Sequence, residues 1–98
     1  MPRQVARSVT VTKVTVDTTA GGTLLPTTAA SGRFQIEVFV ELGETETVYI
    51  GTGTVHATTN YICALTAGQQ YIMPAGAGLA IKGLSTGSTV VRVTEWIG

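Results

Sequence analysis

From Val48 to Trp96 the chain is a succession of short apolar runs, each closed by a turn that carries glycine: Gly51-Thr52-Gly53, Ala67-Gly68-Gln69, Ala75-Gly76-Ala77-Gly78 and Ser85-Thr86-Gly87-Ser88. No run holds a 3.6-residue period long enough to bury one face of a helix, whereas β-rich runs with turn signals at such spacing are the mark of an antiparallel sandwich or barrel. The expected fold is therefore all-β: an antiparallel β-sandwich, jelly-roll-like, of about eight strands, with an extended N-terminal arm. Residues 1–16 read as that arm and a first strand, and residues 17–98 as a single sandwich domain.

At 98 residues with one cysteine, Cys63, the chain has neither a disulfide staple nor a cysteine metal cage to supplement a small core. Small β domains in that position often obtain further burial from oligomerisation. Charged residues are 12% of the chain, about half the usual share. A Thr-, Gly- and Ala-rich surface of low charge suits strand faces covered by another subunit.

The first strand candidate, Ser8 to Val16, alternates with Val9 and Val11 on one face and then changes parity to Val14 and Val16. A period-2 pattern that shifts phase implies either a bulged edge strand or a strand that leaves its sheet for a neighbouring surface. Asp17 to Gly32 is a long connection with an apolar knot, Leu24-Leu25-Pro26, that either tucks onto the body or plugs a pocket on a neighbour. Arg33 to Leu42 is the clearest strand, with Phe34, Ile36, Val38, Val40 and Leu42 on one face and Arg33, Gln35, Glu37 and Glu41 on the other. Phe39 interrupts the polar face, which makes it a candidate interface anchor. Val48 and Ile50 are expected inward with Tyr49 outward, Thr54–Ala57 is a short weak strand, and Tyr61–Leu65 is apolar on both faces, as in a central strand. Tyr71–Met73, Leu79–Ile81 and Val90–Ile97 complete the set, with Val91 and Val93 as the inward pair of the last strand.

The chemistry-bearing residues are sparse. His56, Asp17 and Cys63 are each the only one of their kind, and no nucleophile motif accompanies them, so the reading is not an enzyme. No metal and no cofactor are expected, since one His and one Cys fall short of a closed site and the glycines lack a phosphate-loop pattern. Zero net charge gives no argument for nucleic acid, and no run approaches the ~20 apolar residues of a membrane span. Met1-Pro2-Arg3-Gln4 is not followed by a signal-peptide core, which points to a product made in the cytoplasm. The charge is unevenly placed, however: Arg3, Arg7 and Lys13 precede any acid, and Glu37, Glu41, Glu44 and Glu46 follow with no base between them.

The segments VYIGTGTV, ALTAGQQYIMP and GAGLAIKGLSTGSTVVRVTEW resemble the small β domains of tailed-bacteriophage virion proteins over about half the chain. With a basic extended N-terminus ahead of a sandwich body, the chain is most similar to the capsid cement, or decoration, proteins. That resemblance implies a structural virion protein, a homotrimer on the outer surface of the capsid, made in the host cytoplasm, whose partner is the major capsid protein. The protein would stabilise the assembled shell by clamping neighbouring capsid subunits. Arg3, Arg7, Val9, Val11 and Lys13 would then form the capsid-binding arm, with the arm adding a strand to an acidic neighbour. Leu24, Leu25 and Phe39 are further interface candidates. The alternative is a receptor- or glycan-binding module of a phage tail or head fibre, for which Tyr49, Tyr61, Tyr71 and Trp96 offer aromatic platforms.

Overall fold

The computed structural model describes residues 5–55 and 59–98. Arg3 and His56, and Ala57 of the weak strand expected over 54–57, lie outside the described residues. Eight strands form: β1 (Ser8–Val16), β2 (Thr23–Leu24), β3 (Arg33–Val40), β4 (Val48–Thr52), β5 (Cys63–Leu65), β6 (Gln70–Pro74), β7 (Ile81–Ser85) and β8 (Thr89–Ile97). They make two four-stranded antiparallel sheets, ordered β1-β8-β3-β6 and β2-β7-β4-β5.

The order has a simple logic. β1 pairs with β8, β2 with β7, β3 with β6 and β4 with β5, so the chain is one long antiparallel double ribbon, doubled back at the β4–β5 connection. Additional pairing of β8 with β3 and of β7 with β4 rolls that ribbon into two facing layers. This is the jelly-roll arrangement that the strand count and turn spacing predict.

Between the layers lies an aliphatic core. Val16, Leu25, Ile36, Val38, Val40, Val48, Ile50, Ile81, Val91 and Val93 are all almost wholly buried, with Val14, Cys63, Tyr71 and Met73 packed against them. Each such side chain contributes about 1.5–3 kcal/mol on burial. The inward parities expected for Ile36, Val38 and Val40 of β3, and for β4 and β8, are those observed, whereas Phe34, expected inward with them, is half-buried and outside the core. Gly83 faces the core with no room for a side chain: a Cβ there would stand 3.0 Å from Leu25 Cδ1 and 3.4 Å from Val48 Cγ1, so a substitution would overpack the core.

Several local expectations need correction. β1 keeps one uninterrupted register with β8 from Ser8–Ile97 to Val16–Thr89, with no bulge at Thr12-Lys13. Its inward residues are Thr10, Thr12, Val14 and Val16, and burial rises along the strand until Val16 is fully covered. Val9 and Val11 break the pattern because they face outward, where sequence reasoning placed a phase shift. β3 ends at Val40, because Gly68 N–H bonds the Val40 carbonyl and the chain then turns away, leaving Leu42 78% exposed. β5 is an edge strand and not a central one, with Ile62 and Ala64 exposed beside it. β7 starts at Ile81, since Leu79 and Ala80 belong to the preceding turn. Among the described residues, the 54–57 strand reduces to a single bridge between Val55 and Gly21.

Candidate interaction surface

The outer face of the β1-β8-β3-β6 sheet can be read row by row from the strand registers. Val9, Trp96, Gln35 and Pro74 form one row, and Val11, Thr94, Glu37 and Ile72 the next. Lys13, Arg92, Phe39 and Gln70 form the third. The first two rows are rich in apolar groups, with Val9, Val11 and Ile72 52%, 58% and 46% exposed and Trp96 half-buried. None of the protein's phenylalanine or tryptophan rings belongs to the core, and two of them, Phe39 and Trp96, lie on this face. In a domain this small, aromatic burial is normally directed inward.

Charge on the same face is uneven. Lys13 stands opposite Arg92 on the adjacent strand, a like-charge pair that is unfavourable unless compensated. Glu41 compensates Arg92 through a direct ion pair. The remaining acids are mostly engaged elsewhere: Glu44 accepts from Val90 N–H at 2.9 Å, Glu46 from the Thr86 hydroxyl at 2.6 Å, and Asp17 from Thr19 N–H at 2.9 Å. Hydrogen bonding from the Thr19 side chain and backbone holds the Asp17 carboxyl below its usual range. Among the described residues, the side chains of Arg7 and Lys13 have no acidic partner, so the β1 edge of the sheet is left cationic.

Of the candidate residues named from sequence, Val9, Val11, Lys13 and Phe39 therefore share one face, with Arg7 exposed at its margin and its N–H held by the Ile97 carbonyl at 2.7 Å. Val9, Val11 and Lys13 occupy β1, which is paired with β8 of the same chain; only residues before Ser8 precede the sandwich. Leu24, 39% exposed, is on the other sheet. Leu25 is 1% exposed because the knot tucks onto the protein's own body, which removes this residue as a surface contact. Sequence reasoning did not assign Ile72 or Pro74 to the surface, since their membership depends on the β3–β6 register.

The tyrosines and tryptophan are dispersed. Tyr49 and Tyr61 meet edge to face at 5.0 Å beside the second sheet, Trp96 is on the first, and Tyr71 packs against the core. They do not form one platform.

A pocket of about 160 Å³ opens at one end of the sandwich, between the Leu24–Ala29 and Ala77–Ile81 segments, with Arg33 in its wall. The Arg33 guanidinium has little left to offer a ligand. It donates to Glu95 Oε2 at 3.0 Å and to the carbonyls of Ala75, Gly76 and Leu79 at 3.2, 2.9 and 2.8 Å. Four of about five N–H groups are thus committed. Glu95 Oε2 also accepts from Ala30 N–H at 2.9 Å. The pair joins the loops around it and is a structural clamp. Sequence alternation placed Arg33 on the polar outer face; a register shift between Arg33 and Gln35 turns it inward. Burial pushes the Cys63 thiol up, which keeps it protonated and weakly nucleophilic at neutral pH. Among the described residues, no group of three or more His, Cys, Asp or Glu could hold a metal ion, and no helix is long and apolar enough to cross a membrane.

No family model matches the chain, and no curated protein matches it. A solved structure from Bacillus endospore appendages, described as a novel family of disulfide-linked pili, is 14% identical over 93% of this chain and 87% of that chain. Its TM-score of 0.42 is too low to bear on the fold or the function of this protein.

Proposed function

We propose that this chain is a structural subunit of a phage particle, a cement protein that docks on the outside of the assembled capsid and holds neighbouring capsid subunits together. The observation that carries this reading is the outer face of the β1-β8-β3-β6 sheet, where Val9, Val11, Ile72, Phe39 and Trp96 are left partly in water beside Arg7 and Lys13, which have no acidic partner among the described residues. An apolar field with a cationic margin fits a shell surface of apolar residues bordered by acids. The mechanism is linkage: a protein that binds the assembled shell and not its separated subunits stabilises the shell by mass action. Dispersal of the aromatic rings over two sheets and the core favours this reading over a glycan-binding module.

Sedimentation with phage heads that lack the protein tests it. Wild-type chain is expected to pellet with heads and to raise the temperature at which they release DNA. Ile72→Glu, on the strand farthest from β1 within the sheet, is expected to fold normally and to lose at least tenfold in binding, as a charge buried against an apolar patch requires. Undiminished binding by this variant, or no binding by wild type, overturns the proposal.

A further inference from the structure

The four sheet edges differ sharply. β2 has two residues, β5 has three, and β6 has five and ends at Pro74, which lacks an N–H. β1 has nine residues, no proline and one uninterrupted register with β8, and among the described residues nothing pairs with its outer side. A long, unbroken edge rich in Val and Thr is a template for strand addition unless something covers it. None of the other edges matches it in length, so within this protein only another β1 does.

We infer that β1 pairs antiparallel with β1 of a second copy of this chain, centred on Thr12, joining two four-stranded sheets into one of eight strands. The charges select the register. Centred on Thr12, Arg7 stands opposite Asp17 of the second copy, and by symmetry Asp17 opposite its Arg7, while Val9 faces Thr15 and Val11 faces Lys13. Moving the centre to Lys13 sets the two Lys13 side chains against each other, and moving it to Thr10 sets Arg7 against Lys13. Centring on Val11 avoids repulsion and loses both Arg7–Asp17 pairs. Val9, Val11, Lys13 and Thr15 have the parity of the outer face, and Arg7 and Asp17, which flank β1 at its two ends, are both exposed. An isologous two-fold contact of this kind closes at two copies, in place of the homotrimer that the resemblance to cement proteins implies. It also brings the apolar fields of the two copies side by side. The inference does not depend on what that combined surface binds.

Light scattering across a concentration series tests it, with circular dichroism to confirm folding. The wild-type chain is expected at twice its 10.2 kDa mass. Arg7→Glu and Asp17→Arg are each expected to weaken self-association roughly tenfold, because each replaces two opposite-charge pairs by two like-charge pairs. The double variant, which restores both pairs with the signs exchanged, is expected within about threefold of wild type, less than half a decade. A monomer at every concentration, a trimer, or a double variant no better than the singles overturns the pairing. A monomer that still pellets with phage heads would remove the dimer and leave the cement reading standing.

Discussion

The two ends of the sandwich use the same residue types in opposite ways. At one end Arg33 and Glu95 are sealed, with side chains 1% and 2% exposed, and between them they bond Ala30 N–H and three carbonyls of the Ala75–Leu79 segment. At the other, Glu41, Glu44 and Glu46 on the β3–β4 connection meet Arg92, Val90 N–H and Thr86 near the start of β8, mostly at the surface. Counting ionic contacts would rate the second end at least as well held as the first. Burial reverses that order. Removing one partner of a sealed pair strands a charge in low dielectric, whereas water replaces a lost partner at the surface.

The largest effect should follow from Glu95→Ala, which leaves the Arg33 guanidinium buried without a counterion. A loss of about 3–5 kcal/mol is expected, a large share of the ~5–15 kcal/mol available to a domain of this size. The midpoint of urea unfolding measures it. Replacing a buried pair by apolar residues is often neutral, but Arg33→Met with Glu95→Leu should remain less stable than wild type here. The three carbonyls and Ala30 N–H lose their partners along with the charges. Equal stability of this double variant and wild type would show that the clamp's hydrogen bonds contribute nothing net and that Glu95→Ala is damaging only because it strands a buried charge.

At the opposite end, Glu44→Ala removes the acceptor for the partly buried Val90 N–H and should cost about 1 kcal/mol. Glu44→Gln keeps an acceptor oxygen in place and should stay near wild type in the same unfolding assay. A Gln variant as damaged as the Ala variant would mean that charge, and not the hydrogen bond, matters at this end, which would narrow the contrast between the ends.

The architecture was legible from sequence because it rests on local signals: alternation in β3 and β8, and a glycine turn after nearly every strand. Ile36, Val38, Val40, Val91 and Val93 face inward as their parity requires. The clamp was not legible, because Arg33 shares its parity with Gln35 and Glu37. The register shift that turns it inward carries no glycine or proline, and its partner Glu95 lies 62 positions away. The same limit applies to the candidate surface. Phe39 stood out within its own strand as an aromatic between two glutamates, but Ile72 and Trp96 join it only through the pairing of β6 and β8 with β3. Rows across a sheet are set by non-local register, and a single strand does not display them. Edge position is hidden for a similar reason. Tyr61–Leu65 is apolar on both parities, as a central strand would be, yet β5 is the last strand of its sheet and Ile62 and Ala64 are exposed.

The smallest expected effect is the most diagnostic for the contrast between the ends. Arg92→Ala breaks the ion pair with Glu41, where the arginine side chain is 48% and the glutamate 24% exposed. An exposed pair contributes about 0–1 kcal/mol. Losing Arg92 also relieves the like-charge opposition with Lys13, which offsets part of the loss. The net change should lie near zero in dilute buffer, and any remaining difference from wild type should vanish in about 1 M salt, where the screening length is ~3 Å. The deficit of Glu95→Ala should persist in the same salt, since ions do not reach a pair sealed between two loops. If salt erased both deficits alike, the Arg33 end would be open to solvent in solution, and burial would no longer distinguish the two ends.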